Sequence, residues 1–295
     1  MHTASNFSAM YKILILFILF SFSAKAQLVS DSLLIDGHYR VFYFNTPSTQ
    51  TKNASLVFAI HGSGGDPLNF MKNAVKLEQK AALENFILVY PKGYKSYWNE
   101  CRKASTVAAN LENIDEDAFF SGMIGYFKTK YQINEKQVFA SGFSGGGQMA
   151  YRMGITMPSK FRAICAMVAN MPTAENMDCP ESKVAISTLI INGTADPVNP
   201  YAGGEMKSAG LTLGNVRSTD ESFRYWAALS GYSGVPVRKV LPDPDTTNSI
   251  TVESFTFQKK KSPEVTLFKV NNGKHEFQTD IDFFSEAWTF FKRQL

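Results

Sequence analysis

Three side-chain types that together perform acyl transfer occur in one order along this chain: a serine, a carboxylate and an imidazole. The serine is Ser144 in Gly142-Phe143-Ser144-Gly145-Gly146, a G-x-S-x-G pattern directly after an apolar run. Glycines there let the backbone turn sharply enough to present a nucleophile in an unfavourable conformation. They would equally fit a loop that only changes direction. The imidazole follows from a short count, because the chain has four histidines. His2 lies at the extreme N-terminus, His38 ahead of any candidate site and His61 in a His-Gly turn, so only His275 follows both Ser144 and the carboxylate. That carboxylate is Asp196, in the turn "NGTAD" after a buried run; Asp220, Asp280 and Asp282 compete with it. In these roles Ser144 attacks an acyl carbon, His275 takes its proton, and Asp196 holds the imidazole in one tautomer. The oxyanion needs two backbone donors, which Gly145 and Ser63 of "HGSGG" would supply.

Chemistry of this kind needs a frame that brings distant residues together. Continuous apolar runs at 54–60, 86–91, 137–141, 161–170 and 185–193 read as buried strands, with a first, alternating strand at 38–47. Two further strands, about 250–258 and 264–270, form a hairpin across Lys259-Lys260-Lys261. Helical periods occupy 67–84, 113–131, 145–157, 218–230 and 280–295. Ser218 and Glu221 have capping-box spacing, and Asp115 and Asp117 read as capping rather than as an acid pair. Strands alternating with helices predict an α/β fold with a mostly parallel central sheet covered on both faces, as one domain over 27–295. Ligands in such sheets bind beyond the carboxyl ends of the strands, where Ser63, Ser144, Asp196 and His275 all fall. Tyr94, Tyr97 and Trp98 follow the strand at 86–91. They could stack on an aromatic acyl group or a sugar, or simply pack the loop. Tyr201 and the Gly203-Gly204 pair would position the Asp196 loop.

The chain has 295 residues, is 44% hydrophobic and carries a net charge of +4. That supports one large core and shows no nucleic-acid footprint; the lysine run reads as a solvated hairpin tip. Residues 1–26 have a short apolar stretch, Ile13 to Phe22, then Ala24-Lys25-Ala26. This reads as a secretory signal, with the mature chain starting at Gln27 and no stable membrane anchor afterwards, though an uncleaved anchor has the same composition. Secretion, extracellular or periplasmic, is the expectation. Of the three cysteines, Cys165 lies in an apolar strand and reads as a free thiol. Cys101 and Cys179 lie in polar loops, where an oxidising compartment lets them pair. No Cys or His cluster has metal-ligand spacing.

Six segments in order, "HGSGGDPLNF", "YPKGYKSYWNE", "IDEDAFF", "SGFSGGGQMAYRM", "INGTADPVNPYAGG" and "STDESFRYWA", resemble the polyhydroxybutyrate depolymerase-like esterases, a group that also holds secreted feruloyl and acetyl-xylan esterases. The resemblance runs from about residue 33 to the C-terminus. It implies an α/β-hydrolase fold, a secreted serine esterase without metal or other cofactor, and a nucleophile, acid and base at Ser144, Asp196 and His275. The expected substrate is a feruloyl or acetyl ester of a plant polysaccharide. An aliphatic polyester or short-chain ester is the alternative; a serine peptidase or a non-catalytic carbohydrate-binding protein is less favoured. The chain departs from the group's pattern around the histidine, where Phe277 stands in place of a tryptophan and Lys274 precedes the base. That bears on substrate choice, and Phe277 joins the candidate pocket residues.

Overall fold

A computed structural model describes residues 27–46, 52–206, 208, 210–278 and 280–295, so the leader expected over 1–26 lies outside the described residues. A ten-stranded sheet runs in the order β1-β2-β4-β3-β5-β6-β7-β12-β11-β10. Its centre is six parallel strands: β3 (Ser55–Ile60), β4 (Phe86–Pro91), β5 (Val138–Phe143), β6 (Ala163–Met167), β7 (Ser187–Gly193) and β12 (Val265–Asn271). Antiparallel strands close both sides, β1 (Leu28–Ile35) and β2 (His38–Asn45) at one, β11 (Thr251–Phe257) and β10 (Val237–Val240) at the other. A separate two-residue ladder joins β8 (Gly204–Glu205) to β9 (Asn215–Val216).

The central strands are buried at nearly every position and mostly apolar, because both faces are packed. Along β3, Leu56, Phe58 and Ile60 enter one core with α4 (Glu116–Tyr131), α5 (Gly145–Thr156) and α6 (Thr219–Leu229). Val57 and Ala59 enter the other with α1 (Pro67–Met71), α2 (Val75–Glu84) and α7 (Phe283–Lys292). The helices end where the sequence chemistry places them. Asp66 and Asp115 cap α1 and α4, and Ser218 with Glu221 completes a capping box on α6. Asp117 lies in the first turn of α4, as read from the sequence, and also accepts from Arg152 Nε at 2.8 Å. The helix expected over 67–84 is interrupted by a 3₁₀ turn at Lys72–Ala74.

Two strands escape the sequence pattern. β1 alternates between exposed and half-buried positions, and all four residues of β10 are exposed. Both are edge strands; β10 is held mainly by backbone pairing, whereas Val29, Leu33 and Ile35 of β1 pack against the core beside α4.

Above the carboxyl ends of the strands, three connecting segments are sewn together. Cys101, after β4, is disulfide-bonded to Cys179, after β6, while Cys165 is a free, buried thiol. Lys103 N–H donates to the Asn176 carbonyl at 2.7 Å, and Asn176 Nδ2 donates to the Leu213 and Asn215 carbonyls at 3.0 Å each. A single-turn helix α3 (Ala108–Leu111) lies within the first of these segments.

Candidate active site

β5 delivers Ser144 to the top of the sheet and α5 begins at the next residue. Ser144 has φ 55° and ψ −118°, a region that an L-residue occupies only where its surroundings force it there. Those surroundings are crowded. A Cβ on Gly142 would lie 2.0 Å from the Gly146 carbonyl oxygen, and one on Gly146 would lie 2.1 Å from that of Ile60. No side chain larger than hydrogen fits either position, which answers why the serine sits among glycines.

The end of β7 and the end of β12 supply its partners. His275 Nε2 lies 2.8 Å from Ser144 Oγ, and His275 Nδ1 lies 2.7 Å from Asp196 Oδ2. An ionised carboxylate only accepts, so Nδ1 carries the proton and Nε2 is free to accept from the serine hydroxyl. Asp196 Oδ1 accepts from the Val198 and Asn199 N–H groups at 2.8 Å each, and its side chain is 1% exposed against 16% for His275. The competing carboxylates have other tasks: Asp220 accepts from Tyr201, Asp280 from Asn248, and Asp282 caps α7. Tyr201 and Gly203 do tie the segment after Asp196 to α6: the Tyr201 carbonyl accepts from Thr219 N–H at 2.9 Å, and a Cβ on Gly203 would meet Ser218 N at 2.6 Å.

The "HGSGG" loop closes over this elbow. A Cβ on Gly145 would fall 2.9 Å from Ser63 N, so the missing side chain lets the two backbone segments touch. Neither the Ser63 nor the Gly145 N–H donates to an acceptor among the described residues. Two unpaired donors beside a serine hydroxyl are what a developing oxyanion requires.

His61, assigned by sequence only to a turn, proves to be the support of this loop. It is 1% exposed; Nδ1 bonds to the Gly62 carbonyl at 2.7 Å, and Nε2 accepts from Gly93 N–H at 3.0 Å. Burial holds its pKa below the ordinary histidine value, so it stays neutral and keeps that acceptor. Trp98 belongs to the same support and not to a substrate platform. It is 1% exposed, and its indole N–H donates to the His61 carbonyl at 2.9 Å. Tyr94 and Tyr97 do not line the cavity beside Ser63 either. They pack on a small apolar cluster that includes Val107 and Ile114, with the Tyr94 hydroxyl donating to Glu112 at 2.6 Å.

Of the four pocket aromatics expected from the sequence, Phe277 alone lines the cavity beside Ser63, which measures about 360 Å³. Phe70 and Phe143 join it, with the Phe143 ring 4.5 Å from Phe277 and 5.6 Å from the His275 imidazole, and Asp66, Asn73 and Glu276 form a polar rim. Phe143 was legible as the x of G-x-S-x-G, the residue directly before Ser144. A buried network was also missed. Asn192 Nδ2 lies within 3.0 Å of the Ala169 carbonyl, Asn170 Oδ1 and Thr219 Oγ1, sharing its two hydrogens among them, and Asn199 Oδ1 accepts from Asn170 N–H. It locks the ends of β6 and β7 beneath Asp196, and its signal was the asparagine that closes each apolar run. Among the described residues no His, Cys, Asp or Glu cluster could hold a metal ion.

The sequence profile of the phospholipase/carboxylesterase family matches residues 43–227, more than half of the chain. The chain belongs to the phospholipase/carboxylesterase family. The matched stretch contains Ser63, Ser144 and Asp196 and stops short of His275. Acetylxylan esterase A of Aspergillus oryzae is 24% identical over 229 residues, covering 72% of this chain and 71% of that protein. Feruloyl esterase C of Emericella nidulans is 27% identical over 171 residues, covering 56% of this chain and 55% of that protein. The chain thus spans less than two thirds of the length of the feruloyl esterases it matches. Among solved structures, an acetyl xylan esterase from Aspergillus awamori superposes with a TM-score of 0.62 at 16% identity, over 90% of this chain and 99% of that one. Esterase PE8 gives a TM-score of 0.54 at 15% identity, over 85% and 97%. The fold is that of the α/β-hydrolases.

Proposed function

We propose that this family member is a secreted serine carboxylic-ester hydrolase that removes feruloyl or acetyl groups from plant polysaccharide, with Ser144 as nucleophile, His275 as general base and acid, and Asp196 as its orienting carboxylate. One observation carries the reading: the unbroken pair of hydrogen bonds from Ser144 Oγ through His275 to Asp196 Oδ2. Ser144 Oγ attacks the ester carbon as its proton passes to His275 Nε2. The carbonyl oxygen becomes an oxyanion against the Ser63 and Gly145 N–H groups. The imidazolium, steadied by Asp196, then protonates the departing alcohol. Water enters in its place, gives a proton to Nε2 and releases the acid.

The names of the relatives support the polysaccharide esters, and the A-x-A leader pattern supports secretion. The cavity favours the aromatic acyl group over acetyl. Three phenylalanines wall a space of about 360 Å³, which lies in the range for small-molecule sites and which an acetyl group would leave mostly empty. The test has two parts. A fluorophosphonate should label Ser144 and no other serine. Phe277→Ala should then raise KM for methyl ferulate several-fold, as expected for an aromatic contact of ~1 kcal/mol, while leaving KM for p-nitrophenyl acetate within about twofold. Labelling elsewhere refutes the nucleophile. Equal losses on both esters refute the aromatic pocket, and wild-type preference for hydroxybutyrate oligomers over both would place the chain with polyester hydrolases.

A further inference from the structure

The opposite end of the sheet carries a second cleft, of about 630 Å³, formed by the segments that enter β5, β6, β7 and β12 together with the chain's C-terminal turn. Lys136 precedes β5 and Ser144 follows it, so the six residues of that strand hold the two sites roughly 20 Å apart at ~3.3 Å per residue. That is beyond the ~8–10 Å over which exposed charges sense one another in physiological salt. The cleft is therefore not part of the ester site.

Its lining is strongly basic. Lys136, Lys160, Arg162, Lys260 and Lys261 make no ion pair among the described residues. Arg162 Nε donates to the Gln294 carbonyl at 2.8 Å, which fixes that guanidinium and leaves its two terminal nitrogens open. Lys259 lies over the Tyr232 ring at 5.5 Å. The two carboxylates present are already engaged. Glu135 pairs with Lys128, and Glu264, 3% exposed, is held by Arg293, Gln294 and Thr266 in the floor. The whole chain has a net charge of only +4, so five unpaired cations in one cleft are a concentration and not a sample of the general surface. The lysine run that reads as a plain hairpin tip in the sequence is one lip of this cleft, between β11 and β12.

Convergent lysine and arginine attract a polyanion. Stacking on bases needs exposed aromatic rings, and the ring that lines the cleft, Phe161, is 2% exposed. Ser159, Gln258 and Ser262 supply instead hydroxyl and amide groups suited to sugar hydroxyls. We infer that this cleft anchors an acidic polysaccharide, a chain whose sugars carry uronate carboxylates, at the end of the sheet away from the ester.

Affinity electrophoresis of the purified protein in gels containing polygalacturonate or neutral arabinoxylan tests this directly. The protein should be retarded by polygalacturonate alone, and about 0.5 M salt should release it. The combined variant Lys160→Gln, Lys260→Gln, Lys261→Asn changes exposed side chains only, and circular dichroism checks its fold. Its affinity should be about tenfold weaker, the result expected from losing three exposed charge contacts. Should that variant misfold, Lys260→Glu alone should still weaken retardation several-fold. Equal retardation by arabinoxylan, unchanged affinity in the variants, or tighter binding of a single-stranded oligonucleotide of matched charge would each overturn the proposal.

Discussion

Asp196→Asn separates orientation from charge in a way the geometry makes calculable. Asp196 Oδ1 accepts two backbone N–H groups at 2.8 Å, and Oδ2 faces His275 Nδ1 at 2.7 Å. An asparagine has one oxygen to share between these tasks. Turned with its NH₂ toward Val198 and Asn199, it would set donors against donors, at ~1–3 kcal/mol for each buried group left unpaired. The oxygen therefore stays with the two N–H groups, and the amide NH₂ faces His275. Nδ1 must then be the acceptor, which moves the imidazole proton to Nε2, the atom that has to take the serine's proton. A wrong tautomer of this kind costs about 10⁴-fold in kcat, or ~5.4 kcal/mol of transition-state stabilisation. Steady-state hydrolysis of p-nitrophenyl acetate reads kcat, and the rate of fluorophosphonate labelling should fall with it. Urea unfolding should change by less than ~1 kcal/mol, because both N–H bonds survive. A variant keeping more than about a tenth of wild-type kcat would show that Asp196 does not set the tautomer, and its role as the orienting carboxylate would have to be given up.

Trp98→Phe removes the N–H that satisfies the buried His61 carbonyl; it should destabilise the fold by about 1–3 kcal/mol and lower kcat equally on acetyl and feruloyl esters, whereas a selective KM rise for the feruloyl ester would restore Trp98 to the substrate site. Replacing Cys101 and Cys179 by serine opens a loop with a sequence separation of 78. The chain-entropy model puts that loss at about 4.5 kcal/mol, and a fall in thermal midpoint too small to measure would argue against the link. His61 has its pKa lowered by burial, so below pH ~6.5 the unfolded chain binds a proton that the folded chain refuses. The stability that its neutral form contributes is thus complete above pH ~6.5 and is lost as pH falls. His61→Gln should flatten the pH dependence of urea unfolding between roughly pH 7.5 and 5.5, and identical slopes for variant and wild type would refute the assignment.

The central sheet was legible because burial on both faces leaves a mark: in "SLVFAI" every residue is buried and all after Ser55 are apolar. The hydrogen-bonded set of Ser144, His275 and Asp196 was legible for a related reason, since each member follows such a run within a few residues. The edges were not. The alternation of "LVSDSLLI" marks a half-buried face, Val29, Leu33 and Ile35, whose partner is the distant α4, and "VRKV" buries nothing. Trp98 shows a different limit. An aromatic residue in a loop after a strand can face the solvent or the core. What decides the matter is a carbonyl 37 residues away, that of His61, which the indole N–H must satisfy. The same holds for the basic cleft, where unpaired cations from three separate segments converge through the register of parallel strands.

The seam that joins Cys101, Asn176 and Leu213 gives the candidate site a mechanical character. It fastens the segments after β4, β6 and β7, which are independent in sequence, at a disulfide and three backbone carbonyls. Segments tied in this way open as one cooperative unit and not singly. The wall on that side of Ser144 then behaves as a plate, and the wall on the other side, α1 with Phe70 and the Phe277 turn, is outside the seam. Hydrogen exchange in the three fastened segments would rise together on reduction, at a rate set by the weakest stitch. Any widening of the cavity beside Ser63 would fall to the α1 side, next to the fastened one.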